Sequence, residues 1–233
     1  MKLLKNNMIA VLLAVCYCLS GCGGKKESMQ PYESYQLVTS KKEIFRVLKE
    51  KCLDTISFES GDIIADIGAG DGAVDAMLSI IHDSLTFYVQ DIDTSVCNQK
   101  TINKVINFFE EINKGPFINK FIVAGGSDDK TNLPDETFDK ILMLWTYPYF
   151  KNPIAIMSDL YKKIKDDGVM YIVNPNLSYA TGKILTAEHG WNASPIEKQI
   201  SDIIGCGFEL TKISRNNDAP ENPYIMVFKK KPQ

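Results

Sequence analysis

The run "IIADIGAGDG", Ile63 to Gly72, constrains this chain more than any other stretch of it. Ile63 to Ile67 is short, almost wholly apolar and rich in β-branched residues, which reads as a strand buried on both faces. Gly68, Gly70 and Gly72 then permit positive φ and a close approach of a ligand to the backbone. Ala73 to Ile81 continues as a helix, whose N-terminus is expected to point free amides at that ligand. A buried strand, a glycine turn and a helix open a parallel α/β unit. Gly68, Gly70 and Ala73 also satisfy the dinucleotide pattern G-x-G-x-x-G/A. Asp66 separates the two readings. It sits two residues before Gly68, inside an apolar strand end, where a carboxylate is costly to bury unless paired. A cationic ligand would supply that pair.

Other segments repeat the alternation of strand and helix. Ser40-Lys41-Lys42-Glu43 has the form of a capping box, followed by Ile44, Val47 and Leu48 at helical spacing. Strands are expected at Leu85–Gln90, Ile118–Ala124, Lys140–Thr146, Val169–Val173, Phe208–Ile213 and Tyr224–Phe228. Thr94 or Ser95 is expected to cap a long helix that stops at Gly115-Pro116. Asn152-Pro153 opens another helix, and Ser194-Pro195-Ile196-Glu197 a last one ending near Gly205. The expected fold class is therefore α/β: a doubly wound, Rossmann-like, seven-stranded sheet. It should be mostly parallel, with an antiparallel last strand, because no helix separates the final two strands. In such sheets ligands bind beyond the carboxyl ends of the strands.

The second strand ends in "YVQDID", placing Asp91 nineteen positions after Gly72. A carboxylate at this tip can accept both hydroxyls of a ribose, with Asp93 as the near alternative. After the third strand, Ser127, Asp128 and Asp129 could accept from an adenine amino group.

With these residues in place, Asp66-x-Gly68-x-Gly70-x-Gly72 resembles motif I of the class I S-adenosylmethionine-dependent methyltransferases, and Asp91 resembles their ribose-binding acid. "LPDETFDKILML", "LYKKIKDDGVMYIVN" and "GCGFEL" resemble the segments leading into their fourth, fifth and sixth strands. The resemblance spans about Ser40 to Lys230. It implies S-adenosyl-L-methionine as cofactor, bound by Asp66, Gly68, Ala69, Gly70 and Gly72, of which Asp66 and Gly68 lie near its methionine part, with Asp91 on the ribose, Ile92 against the adenine, and Ser127 and Asp128 near its amino group. Relatives with "LPDxxFD" often carry a histidine after the fourth strand, and here that loop is "WTYPYF" with Pro148 in its place.

Methyl transfer from a sulfonium is largely placement and desolvation, so acceptor-side residues leave a weak signature. Tyr147 and His189 are the candidate catalytic side chains. Tyr149, Tyr179 and Trp191 are further candidate wall residues, though each of these aromatics, like His189, reads more readily as packing or loop surface. Asn174-Pro175-Asn176 also follows a strand on the ligand side. No metal is expected.

The chain begins with Lys2 and Lys5, an apolar run from Met8 to Leu19, and Leu19-Ser20-Gly21-Cys22. This looks like a bacterial lipoprotein signal, with Cys22 receiving lipid. The expected organisation is a signal peptide at 1–21, a tether at 22–39 and a methyltransferase-like domain at 40–233. That places the protein in the cell envelope, attached to a membrane through Cys22. The formal net charge of −3 gives no basic footprint, so nucleic acid is not expected as a partner. The expected partner is a small-molecule or protein methyl acceptor, and the expected state a monomer. Cys52, Cys97 and Cys206 read as small buried hydrophobes, of which one pair could be bridged. Three functions compete: a tethered methyltransferase, a non-catalytic nucleoside or metabolite receptor of the same fold, and a nicotinamide-dependent oxidoreductase, against which Asp66 argues.

Overall fold

In a computed structural model, residues 34–51, 53–174, 195–215 and 223–231 are described. Seven strands form one sheet in the order β3-β2-β1-β4-β5-β7-β6. They are β1 Ile63–Ile67, β2 Thr86–Asp91, β3 Lys120–Gly125, β4 Phe138–Leu144, β5 Ile164–Asn174, β6 Phe208–Arg215 and β7 Tyr224–Lys230. The pairs β1–β2, β1–β4, β2–β3 and β4–β5 are parallel. β7 runs antiparallel to both β5 and β6, between which it inserts. The short β6–β7 connection, without a helix, permits this reversal.

Helices α1 (Lys41–Glu50), α2 (Ala73–Leu78) and α3 (Gln99–Asn113) pack on one face. Their core includes Ile44, Leu48, Ile64, Phe87, Val89, Ile102 and Phe109. Helices α4 (Pro153–Lys163) and α5 (Ile196–Gly205) cover the other, around Ile67, Phe138, Met157, Leu160, Ile203 and Phe228. Successive β1 residues therefore serve opposite layers, Ile64 one and Ala65 the other, as strand geometry demands.

Local chemistry sets the boundaries. Ser40 Oγ accepts the Glu43 amide at 3.3 Å, while Glu43 Oε2 accepts the Thr39 amide at 2.7 Å, so the reciprocal bond of the capping box is shifted by one residue. The α3 cap is Asn98, whose Oδ1 accepts the Thr101 amide at 3.0 Å, and not Thr94 or Ser95. Asp93 is the reason. Its carboxylate and carbonyl take the amides of Ser95, Val96 and Cys97, completing a separate turn before the helix can begin. Asp139 of "LPDETFD" accepts the Ile63 amide at 2.9 Å and pairs with Lys165 at 2.6 Å, so it locks the start of β1 against β4 and β5.

The packed unit also starts earlier than residue 40. Tyr35, which the sequence places with the tether, is 4 % exposed and meets Phe108 edge-on at 5.2 Å between centroids. We expect Tyr35→Ala to cost about 3 kcal/mol in urea denaturation. A cost within about 0.5 kcal/mol, the range of ordinary surface substitutions, would return this segment to the tether.

Candidate functional site

Parallel pairing sets the tips of β1, β2 and β4 side by side, with Asp66 opposite Val89 on one flank and Leu142 on the other. The glycine turn emerges there. Gly68, Gly70 and Gly72 have φ of +72°, +59° and +73°. A Cβ on Gly68 would fall on the Thr146 side chain, and one on Gly72 would lie 2.8 Å from Ile102 Cδ1. A Cβ on Gly70 would meet nothing within 4 Å. Two of the glycines are thus dictated by internal packing, while Gly70 faces open space.

The turn's amides are largely engaged. Gln90 O accepts from Gly68 at 2.8 Å and from Ala69 at 3.0 Å. The Gly70 amide donates to Asp91 Oδ2 at 2.9 Å, and the Asp93 amide to Asp91 Oδ1 at 2.9 Å. Gly72 donates to Ala69 O and Ala73 to Asp71 Oδ1. The turn itself therefore spends the amides of Gly68, Ala69, Gly70, Gly72 and Ala73, while Gly72 at the N-cap of the six-residue α2 makes no side-chain capping bond.

Carboxylates dominate instead. Asp66, Asp71 and Asp75 are 2 %, 7 % and 0 % exposed. Asp66 Oδ1, Asp71 Oδ2 and both Asp75 oxygens are buried without a hydrogen-bond partner among the described residues. Burial, then the Asp91 charge, pushes the Asp66 carboxyl from 3.8 up to about 7, against the pull of Lys51. Burial raises Asp71 to about 6, and the Ala73 amide opposes it. Asp75 is held well above the ordinary range by burial, then by Asp66 and Asp71. Burial and the charges of Asp91, Asp75 and Asp66 push the Cys97 thiol up to about 12, so it is an inert core group here. Burial thus holds these carboxyls toward their neutral forms, and a cationic ligand beside them would draw them back toward the charged form, which a pyrophosphate would not do.

The other sequence candidates separate. Ile92 follows Asp91 and is 57 % exposed, an apolar surface beside the β2 tip. Ser127 Oγ accepts the Lys130 amide, Asp128 pairs with Lys151 at 2.7 Å, and Asp129 accepts from Asn152 Nδ2 at 3.1 Å. These contacts tie the loop after β3 to the entry of α4. Tyr147, a catalytic candidate in the sequence, is fully buried in the layer under α4 and α5, near Asp202, Cys206 and Tyr224. Burial raises its phenol above the ordinary range. Tyr149 is exposed on the same short turn. Asn174 is buried and donates to Gln199 of α5 at 3.1 Å. His189, Tyr179, Trp191, Cys52 and Cys22 lie outside the described residues, while Cys97 and Cys206 are free thiols.

Sequence reasoning missed Asp71, Asp75 and Lys51 as site groups. Asp71 lies in the turn and Asp75 in the first turn of α2, so no helical spacing relates them and the sequence carried no clear signal for the pair. Lys51 lies at the end of α1, with its Nζ 4.7 Å from the centroid of the Trp145 ring. Nothing local in the sequence announces that contact. A cleft of about 710 Å³ between Asp135, Tyr161, Asp166 and Lys230 lies at the opposite end of the strands, and Asp166 and Lys230 there neutralise each other. Among the described residues no group of side chains is arranged to hold a metal ion, and no helix is long and apolar enough to cross a membrane.

No family model and no curated protein matches the chain by sequence. Solved structures do match. A SAM-dependent methyltransferase from Aquifex aeolicus superposes with a TM-score of 0.60 at 14% identity, over 81% of this chain and 97% of that one. A protein from Pyrococcus horikoshii gives 0.61 at 15% identity, over 89% and 100%. The Haemonchus contortus phosphoethanolamine N-methyltransferase 2, solved with phosphomonomethylethanolamine and S-adenosylhomocysteine, gives 0.55 at 13% identity, over 83% of this chain and 58% of that one. The fold is thus that of the S-adenosylmethionine-dependent methyltransferases.

Two expectations follow from the site. Gly70→Ala should cost roughly 1–2 kcal/mol for its φ alone, and Gly68→Ala more, because the added methyl also meets Thr146; equal melting temperatures for the two variants would refute that difference. The second concerns pH. Carboxyls raised in the folded state bind more protons than in the unfolded chain between 3.8 and about 7. Their contribution to stability is therefore fully present below the unfolded value and lost as pH rises through the folded one. The urea midpoint should fall between about pH 5 and pH 8, and Asp75→Asn should flatten the fall. A midpoint that rises over this window would contradict the burial of these groups as acids.

Proposed function

We propose that this chain is an S-adenosylmethionine-dependent methyltransferase that acts on a small-molecule or protein methyl acceptor. One observation carries the reading: the Asp91 carboxylate stands at the β2 tip, bonded to the Gly70 amide, beside a glycine turn backed by buried, unpaired acid groups. The residues fit such a ligand. Asp91 accepts one amide on each oxygen and keeps lone pairs for two ribose hydroxyls. Gly70 leaves open space above the turn, Ile92 offers an exposed apolar surface, and Asp66 offers a buried carboxyl that a cationic ligand would draw into its charged form. S-adenosylmethionine, when bound, supplies an activated methyl group. The protein's part is then to orient the ligand through Asp91 and the turn, to exclude water, and to balance its charge through Asp66.

The leader supports a further part of the reading: export, lipid on Cys22, and attachment of this enzyme to the envelope face of a bacterial membrane. A receptor that holds the ligand without turnover is the second reading. What favours it is the want of a proton-accepting side chain among the placed candidates, since Tyr147 is buried and Pro148 stands where relatives often carry histidine.

Calorimetry with S-adenosylmethionine tests the pocket. Wild type should bind, and Asp91→Ala should weaken binding about tenfold or more, as expected for loss of charge-assisted hydrogen bonds. Absence of binding to wild type rejects the proposal. Methyl transfer from labelled cofactor into an envelope extract decides between enzyme and receptor, and mass analysis of the mature N-terminus decides the anchor.

A further inference from the structure

Helix α1 presents two unlike faces. Ile44 and Leu48 are buried and Val47 packs beside them, which fixes the inner face against the core. Lys41, Lys42, Phe45, Arg46, Lys49 and Glu50 are all exposed. Lys42, Phe45, Arg46 and Lys49 follow one another at helical steps of three and four, so they share the outer face, with Lys41 beside them. Glu43 takes no part in it, because its carboxylate is turned back onto the Thr39 amide and the Thr39 and Ser40 hydroxyls. Lys41 donates to Asn113 Oδ1 of α3 at 2.9 Å, a neutral partner that leaves its charge in place. Glu50 is the acid of this face and engages Arg46 at 2.9 Å, with both side chains about half exposed. The outer face thus gathers four cations around an aromatic ring that is 54 % exposed, in a chain whose formal net charge is −3. Leu37, just ahead of the helix, is a second exposed apolar side chain. Cations with an aromatic ring set among them match the two forces that hold a protein on a charged bilayer: attraction to anionic headgroups, and burial of apolar surface at the headgroup boundary.

We propose that the outer face of α1 is a docking surface for anionic phospholipid, on which the protein rests through Lys42, Phe45, Arg46 and Lys49. The inference rests on the attachment through Cys22 proposed above. Twelve chain steps from Cys22 reach Ser34, where the described residues begin, and even fully extended they span no more than about 40 Å. Such an anchor keeps the start of α1 within that distance of lipid but leaves the orientation of the domain free. The basic face supplies the orientation, since each basic residue brought close to an anionic surface strengthens the association about fivefold. The same helix ends at Lys51, whose ammonium lies 4.7 Å from the centroid of the Trp145 ring, just beyond β4. Docking through α1 therefore holds the strand-tip end of the sheet, where the candidate pocket lies, near the headgroups.

The test is a surface-labelling footprint of the full chain reconstituted with vesicles of phosphatidylcholine alone, and with vesicles of phosphatidylcholine mixed with phosphatidylglycerol. Flotation first reads attachment. A water-soluble acylating reagent then reads the accessibility of each lysine by mass spectrometry. Lys42 and Lys49 should react about fivefold more slowly on the anionic vesicles than on the neutral ones. Lys212, exposed on the edge strand β6, should react equally on both. High salt should remove the difference. The double variant Phe45→Ser, Arg46→Gln, altered only at exposed positions that folding tolerates, should bring it within about twofold. A chain that floats with both kinds of vesicle and shows equal rates at Lys42 and Lys49 overturns the docking face and leaves the Cys22 anchor standing. A chain that floats with neither overturns the anchor, and this inference with it. Slow reaction of Lys42 and Lys49 without vesicles, deepening with protein concentration, assigns the face to a second copy of the chain and also overturns the proposal.

Discussion

The bond from the Gly70 amide to Asp91 Oδ2, 2.9 Å long, joins the turn after β1 to the tip of β2 and organises the end of the sheet that matters. It requires Gly70 in the left-handed region and Asp91 at the last residue of its strand. It also requires the two strands in parallel register, which the Gln90 carbonyl reinforces by accepting from Gly68 and Ala69. With the turn tied down in this way, β4 can approach until Thr146 touches the Gly68 backbone. The three strand tips then enclose a small corner lined by the buried carboxyls of Asp66, Asp71 and Asp75.

The charge of that corner explains more than its shape does. Three carboxylates are withdrawn from water with oxygens that have no partner, an arrangement that costs stability in the unliganded fold. The turn gives Gly70, Gly72 and Ala73 amides to its own acceptors, so an anion finds little to bind, while a cation finds Asp66. A glycine-rich turn at the first βα junction has two common uses, and here electrostatics distinguishes them. Lys51, at the end of a helix remote in sequence, holds its ammonium over the Trp145 ring and pulls the Asp66 carboxyl downward against burial.

Much of the architecture was legible. Isoleucine and valine runs marked the strands, capping residues marked α1 and α4, and the helix-free connection before β7 implied its reversal. Where boundaries differed, a local competitor had intervened, as with Asp93 delaying the α3 cap to Asn98. The site was legible only in part. Asp66 and Asp91 stood out because a carboxylate at a strand end is chemically conspicuous. Asp75 did not, because a single acid in a short helix is ordinary until its surroundings are known. Tyr147 looked available in "WTYPYF", yet the short turn Tyr147–Tyr149 rotates it into the layer beneath α4 and α5 and leaves Tyr149 outside.

By itself the sequence determined the order of elements, the glycine turn with its two strand-end acids, and the leader ahead of them. These depend on neighbours within a few residues: hydrophobic period, caps and the φ that glycine allows. Only the tertiary structure decided which of the acids are buried together, that the turn's amides are already engaged, and that Lys51 reaches Trp145 across about ninety residues of chain. Those outcomes depend on strand register and layer packing, which bring together groups with no local relation and set the dielectric around each charge.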